Sequence, residues 1–373
     1  MAVNSPARYE QRSETPRSAT GTPVATVWLD IARVAAMVAV VLLHAVAPVV
    51  TWDYTELGSV TWWTGNVVDS LVRWCVPVFI MISGALLLAP RREGLRSFYQ
   101  RRFSRIGLPL LAWSAFYLAV DLFHERSIDW PEALSRVLSG SPATHLYFLF
   151  VLAGLYALTP FLRVITQHAT TRTLWWFAAL MSALGMADQL ISDFDGAGSP
   201  NAVTRFLPFV GYYVLGYLLR ETTLSRRGTW AVAGLFAAST AATVALVGAV
   251  AISHQEWNTQ AAYTYDYLSP TVMAMSVAVF LLFQQLGSRW PRFTAGDRDT
   301  GPARRRLKAV SDLSFGVFLV HLIVLRELRS LTGIPDHPVA MVATVLGQTL
   351  AVLVVSFAVT ALLRRIPGLR ATV

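Results

Sequence analysis

Residues 27–50, VWLDIARVAAMVAVVLLHAVAPVV, form an apolar run long enough to cross a bilayer. In hydrocarbon the amides of such a run must find their partners inside the segment, which makes it a helix. Within it lie Asp30, Arg33 and His44. Ionisable groups at membrane depth are costly, so three in one span mark a candidate functional site. Eleven positions separate Arg33 from His44, close to three helical turns, so both project from one face about 16 Å apart. Asp30 sits one turn before Arg33 and can pair with it.

The rest of the chain has the same character. Hydrophobic residues make up 54% of the sequence and charged ones only 14%, against about 25% charged in soluble domains. The fold class expected is all-α: a polytopic transmembrane helix bundle of about ten spans. The spans are read at 27–50, 66–89, 107–123, 145–162, 173–191, 205–219, 229–252, 268–286, 311–331 and 339–363. Residues 1–26, rich in Pro, Ser, Thr and Arg, read as a disordered cytoplasmic tail. Residues 27–363 form the transmembrane domain, and 364–373 read as a short cytoplasmic tail. The first apolar run is too long for a signal-peptide core and is expected to stay as an anchor.

Orientation comes from the basic residues. Of 31, 24 fall on the side that carries the tail, and only Arg126 and Arg136 fall in loops of the other side. The positive-inside rule then puts both termini in the cytoplasm of a multi-pass protein of the plasma membrane. A formal charge of +9 could suggest nucleic acid, but the charges form short clusters between apolar spans, so none is expected as a partner. The partner implied is the lipid bilayer. The loop 287–310 reads as the longest cytoplasmic linker, and 124–144 as its external counterpart.

With this topology the second span descends from outside, which brings Arg73 to the depth of His44 and places Asp69 one turn above it. His145 and Tyr147 open the fourth span from outside, Arg205 opens the sixth, and Arg326, Glu327 and Arg329 close the ninth. A polar cluster in the outer leaflet follows. Snorkelling to the headgroups is the competing reading for His145, Arg205 and Arg329, and a buried structural pair the competing reading for Arg73 with Asp69. His321, in FLVHLIV, reads equally as a packing histidine or as a residue lining the site. No metal is expected: the seven histidines are scattered, with neither HExxH nor an i, i+4 histidine pair. The single cysteine, Cys75, excludes an internal disulfide framework.

The pattern LDIAR followed ten residues later by His44 resembles the first helix of the acyltransferase-3 family, integral membrane enzymes that acylate sugars and glycolipids. PVFIMISGALLL (77–88), RRFSRIGLPLLAWS (101–114), HLYFLFVLAGLYALTP (145–160) and SFGVFLVHLIVL (314–325) extend the likeness in order along the chain. The resemblance implies an acyltransferase that moves an acyl group, taken as acetyl, from acyl-CoA to a hydroxyl of a cell-envelope carbohydrate or glycolipid. Acetyl-CoA would be a co-substrate, with no permanently bound cofactor.

The same resemblance makes His44 the catalytic centre and matches Arg102 and Arg105 to a two-arginine motif suited to a donor's phosphates, against the competing reading of a positive-inside anchor in an arginine-rich loop. Arg33 would join that inner group. Arg73, by its depth beside His44, is the candidate oxyanion donor. Asp30, Asp69, His145, Tyr147 and His321 are the remaining candidates to line the site. The 16 Å between Arg33 and His44 is comparable with an extended phosphopantetheine arm. A secondary transporter or flippase of an envelope precursor is the rival class, although no two-half repeat is evident.

Overall fold

A computed structural model describes residues 27–51, 55–91, 93–125, 130–195, 201–289 and 301–373. The expected tail 1–26 and the middle of the expected 287–310 linker therefore lie outside the described residues. Among those described there is no strand. Among the described residues nine helical segments are long and apolar enough to cross a membrane, and a shorter apolar helix, Leu207–Leu219, makes a tenth segment of the bundle.

The helices are α1 (Val27–Thr51), α2 (Val60–Val72), α3 (Cys75–Leu87), α4 (Leu95–Arg102), α5 (Leu108–Glu125), α6 (Trp130–Leu138), α7 (Tyr147–His168) and α8 (Thr171–Asp195). They continue as α9 (Val210–Leu219), α10 (Arg226–His254), α11 (Thr259–Tyr265), α12 (Pro270–Arg289), α13 (Pro302–Thr332) and α14 (Pro338–Leu363).

Three expected boundaries change for identifiable reasons. The span read at 66–89 starts earlier, at Val60, where the Ser59 hydroxyl caps the helix by accepting from the Trp62 amide at 3.1 Å. It is also two helices, α2 and α3, joined at Arg73–Trp74. Pro77 has no amide to bond the Arg73 carbonyl, so the ladder breaks at that point. The span read at 107–123 runs on from α4 through one π-turn, Phe103–Gly107. The segment 302–310, read as linker, is the first part of α13, with Pro302 at the start of the helix where its missing amide costs nothing.

Helix α1 is the axis of the bundle, packing on α2, α3, α12, α13 and α14. Trp28 seats its indole edge-on against Phe280 of α12, 5.2 Å between ring centres. Helices α3 and α9 cross at backbone contact. A Cβ on Gly84 would collide with the Tyr213 carbonyl, and one on Gly216 with that of Met81, so only glycine fits at either position.

Two faces follow from the polar contacts. Asp30 at the start of α1 binds Arg304 at the start of α13, and Arg364 just beyond α14 donates to the Asp312 carbonyl. The C-terminal turn Leu369–Thr372 docks beside α5, where the Trp113 indole donates to the Thr372 carbonyl at 2.9 Å. These ends share what we term the basic face. At the opposite face, the end of α5, α6 and the end of α13 meet through Asp121, Arg136 and Arg326.

Candidate active site

A cavity of about 1090 Å³ occupies the half of the bundle toward the opposite face. Its wall includes His44, Arg73, His145, Tyr147, Arg205, Arg326 and Arg329, so the residues that topology placed at one depth do share a chamber. Exposed residues at its rim, Asp188 and Arg326 among them, put its mouth on that face. At the rim, Asp121 accepts from Arg136 at 2.7 Å and from Arg326 at 3.4 Å, which neutralises much of the charge there.

Three imidazoles, from α1, α13 and the turn before α7, meet beside the chamber: His44 and His145 line it, and His321 lies behind them, fully buried. His44 of α1 lies 5.2 Å, ring to ring, from His321 of α13, and His321 lies 5.2 Å from His145 just before α7. His321 is fully buried and its Nδ1 is 2.6 Å from the Phe318 carbonyl oxygen. A carbonyl only accepts, so Nδ1 carries the proton and Nε2 of the neutral ring keeps its lone pair. His145 is also buried and is set by aromatic edges, 5.0 Å from Tyr117 and 5.3 Å from Phe318. Tyr117 in turn donates to the Leu319 carbonyl, 2.9 Å away, which ties α5 to α13 at this level. His44 itself is only half-buried, because its ring meets the cavity.

Arg73 enters from the α2–α3 break. Its Nη2 donates to Asp69 Oδ2 at 2.8 Å, and its Nε lies 2.6 Å from Oδ1 as a charge contact, against a carboxylate with no solvent exposure. The guanidinium stacks 4.0 Å from the Tyr265 ring centre and reaches the Tyr265 carbonyl at 3.5 Å. Tyr265 is anchored by its hydroxyl, which donates to Asn66 Oδ1 at 2.7 Å. Arg205 is not turned to a headgroup: its Nε donates to the Ser139 carbonyl at 3.0 Å and its guanidinium lies 5.7 Å from the Tyr147 ring.

At the basic face, about four turns below His44 on the same continuous helix, Asp30 is buried and fully engaged. Its oxygens accept from Arg33 at 3.4 Å, Ser311 at 2.8 Å and Arg304 at 2.5 Å. Arg33 remains part-exposed, and Arg105 lies within electrostatic reach of both Arg33 and Arg102. Arg102 stands beside the Tyr156 ring at 5.6 Å, while Arg105 is exposed. Glu93 bonds a different arginine. Burial pushes its carboxyl up, but the Arg101 hydrogen bond together with the charges of Arg101, Arg163 and Arg102 holds it below the ordinary value, with Arg163 in contact at 3.6 Å. The three guanidiniums expected at this face are therefore grouped, and no carboxylate other than Asp30 bonds them among the described residues.

The family model described as an acyltransferase domain matches residues 26–365. The chain belongs to the acyltransferase-3 family. No curated protein and no solved structure matches it. The match spans every helix described above, so the cavity and the basic cluster both lie inside the acyltransferase domain. The chain is thus a multi-pass membrane acyltransferase.

Several residues of this acyltransferase's chamber escaped the sequence reading. Asp266 and Tyr267 reach it from the turn between α11 and α12, where Tyr212 donates to the Tyr267 carbonyl at 2.5 Å and Asp266 accepts the Leu268 amide at 2.7 Å. The run YTYDY at 263–267 was the available signal: aromatic and acidic residues crowded before an apolar helix. Outside the chamber, Arg304 lies in the stretch that reads as a basic linker, and nothing in its local sequence points to its partner Asp30. Arg163, one residue beyond the span read at 145–162, is buried within α7 and donates to the Leu87 carbonyl at 2.6 Å.

Proposed function

We propose that the acyltransferase moves an acyl group, acetyl first among the candidates, from cytoplasmic acyl-CoA to a hydroxyl of a cell-envelope carbohydrate or lipid-linked glycan. The observation that carries this reading is the placement of two unlike sites on one helix. Arg33, with Arg102 and Arg105, forms a cationic group at one end of α1, and His44 faces a large cavity from its other half. Guanidinium forks suit the phosphates of the donor, and about 16 Å along the helix suits the reach of its pantetheine arm.

In this mechanism the acceptor enters the cavity from the face opposite the arginines. The neutral His44 imidazole takes the proton of the acceptor hydroxyl as that oxygen attacks the thioester carbonyl. Arg73, already fixed by Asp69, meets the charge that develops on the carbonyl oxygen. Collapse breaks the carbon–sulfur bond, the leaving thiolate takes the proton from the imidazolium, and the ester stays on the acceptor. The donor enters from the basic face, which puts both chain ends in the cytoplasm of a plasma-membrane protein.

The test is donor-dependent acylation by the purified chain in proteoliposomes, read by mass spectrometry of envelope glycan treated beforehand with mild base to remove its esters. Ester formation that requires the protein and acyl-CoA together supports the reading; none with any acyl-CoA overturns it.

Two narrower expectations accompany it. Reporter tags at both ends should read cytoplasmic, and a cysteine placed at Trp130 should react with an impermeant reagent from outside; an external C-terminus would overturn the proposed orientation. Changing Arg102 and Arg105 together to Ala should raise the apparent KM for the donor at least about tenfold, the loss of two charge-assisted contacts. The same change at Arg91 and Arg92 should leave KM nearly unaltered. Equal losses from both pairs, with poor insertion, would make the arginines topology signals only.

A further inference from the structure

Helix α1 carries a proline four residues after His44. Pro48 has no amide hydrogen, and its ring crowds the carbonyl of the residue four positions back, which here is His44. A backbone carbonyl deprived of its helical donor inside a membrane protein must find another. Arg329 provides it from α13. Its Nη2 lies 2.6 Å from the His44 carbonyl oxygen and 3.3 Å from that of Ala45, the two carbonyls that a proline at position 48 disturbs.

The placement distinguishes this contact from general packing. His321, eight residues before Arg329 on α13, presses its ring against the ring of His44. One helix therefore holds His44 twice, by its side chain through an imidazole and by its backbone through a guanidinium. Arg329 had two bland roles available near the end of a span, snorkelling to headgroups or serving as a topology charge. A short charge-assisted bond to a main-chain oxygen 285 positions away in the chain belongs to neither.

We propose that Arg329 is a positioning residue for the acyl-transfer step. It replaces the hydrogen bond that Pro48 removes, and so fixes the backbone from which the His44 ring reaches the acceptor hydroxyl. The inference rests on the reading of His44 as the base. A proline at this position would otherwise leave α1 free to bend at the residue that must be aimed.

The test uses the full-length chain in proteoliposomes, with acetyl-CoA as donor and base-deacylated envelope glycan as acceptor. Arg329→Met should lower kcat by about 10- to 100-fold, the scale of a reacting group displaced by about 1 Å, with KM for acetyl-CoA changed less than about twofold. In a Pro48→Ala background the position 48 amide can serve the His44 carbonyl, so adding Arg329→Met there should cost less than about threefold. That comparison stands even if the single Arg329→Met chain fails to insert, because the paired variant has no orphaned carbonyl. A loss of tenfold or more in the Pro48→Ala background would overturn the proposal, and so would a loss confined to KM, which would make Arg329 a substrate contact. His44→Ala is the separate control: full activity there removes the base reading itself, whatever the Arg329 variants show.

Discussion

His44→Ala is expected to insert at the wild-type level, bind donor, and lose turnover by about 10²- to 10⁴-fold, the usual worth of a general base. The structural cost is small because the ring already faces an open chamber, so its removal enlarges that space without making a new sealed void. The backbone is held independently, since Arg329 bonds the His44 carbonyl and not the ring. A loss well beyond that range would favour a covalent acyl-histidine, in which the ring forms a bond to the acyl carbon as well as accepting a proton. Activity should also fall on acidification, because only the unprotonated ring has a lone pair to offer. Kinetics of the purified variant in proteoliposomes, beside donor binding measured separately, would decide. A near wild-type rate would take His44 out of the mechanism and turn attention to His321, whose Nε2 lone pair is set by the bond from Nδ1 to Phe318, and then to His145.

The features that could be read from sequence are those a bilayer imposes. Long apolar runs must be helices, so the all-α bundle and the continuous first helix followed from composition and length alone. The charges of α1 stood out because lipid makes them expensive, and their spacing along an unbroken helix carries over directly into the structure. Other features depend on partners remote in the chain. The stretch 302–310 looks like a linker because it is basic, yet it is helix, with Arg304 held by Asp30, 274 positions away. The α2–α3 break at Arg73 had a local sign in Pro77, but hydropathy averages over it. The Asp266–Tyr267 turn reaches the chamber only because Tyr212, from another helix, holds its backbone. Pro48 was visible, whereas the guanidinium that answers it could not be found without the packing of α13 on α1.

Arg73 is expected to separate the structural from the chemical role of the chamber wall. Arg73→Met strands the Asp69 carboxylate, which has no exposure and whose side-chain contacts are chiefly to this guanidinium. Breaking one member of such a buried pair costs about 3–5 kcal/mol, so the variant should unfold at markedly lower denaturant or temperature in detergent. Loss of activity in that chain would say nothing of catalysis. The informative protein is Asp69→Leu with Arg73→Met, in which both charges are gone and apolar groups of similar size fill the space; replacements of this kind often recover stability in full. If Arg73 meets the oxyanion, the double variant should melt close to wild type and still turn over about 10²- to 10³-fold more slowly, with KM for acetyl-CoA little changed. Stability and kcat measured on the same preparations make the comparison. A double variant that is both stable and fully active would leave Arg73 as the partner of Asp69 and the stacking neighbour of Tyr265, and the oxyanion would then have to be met by another donor of the chamber, with Arg205 and Tyr147 the first to test.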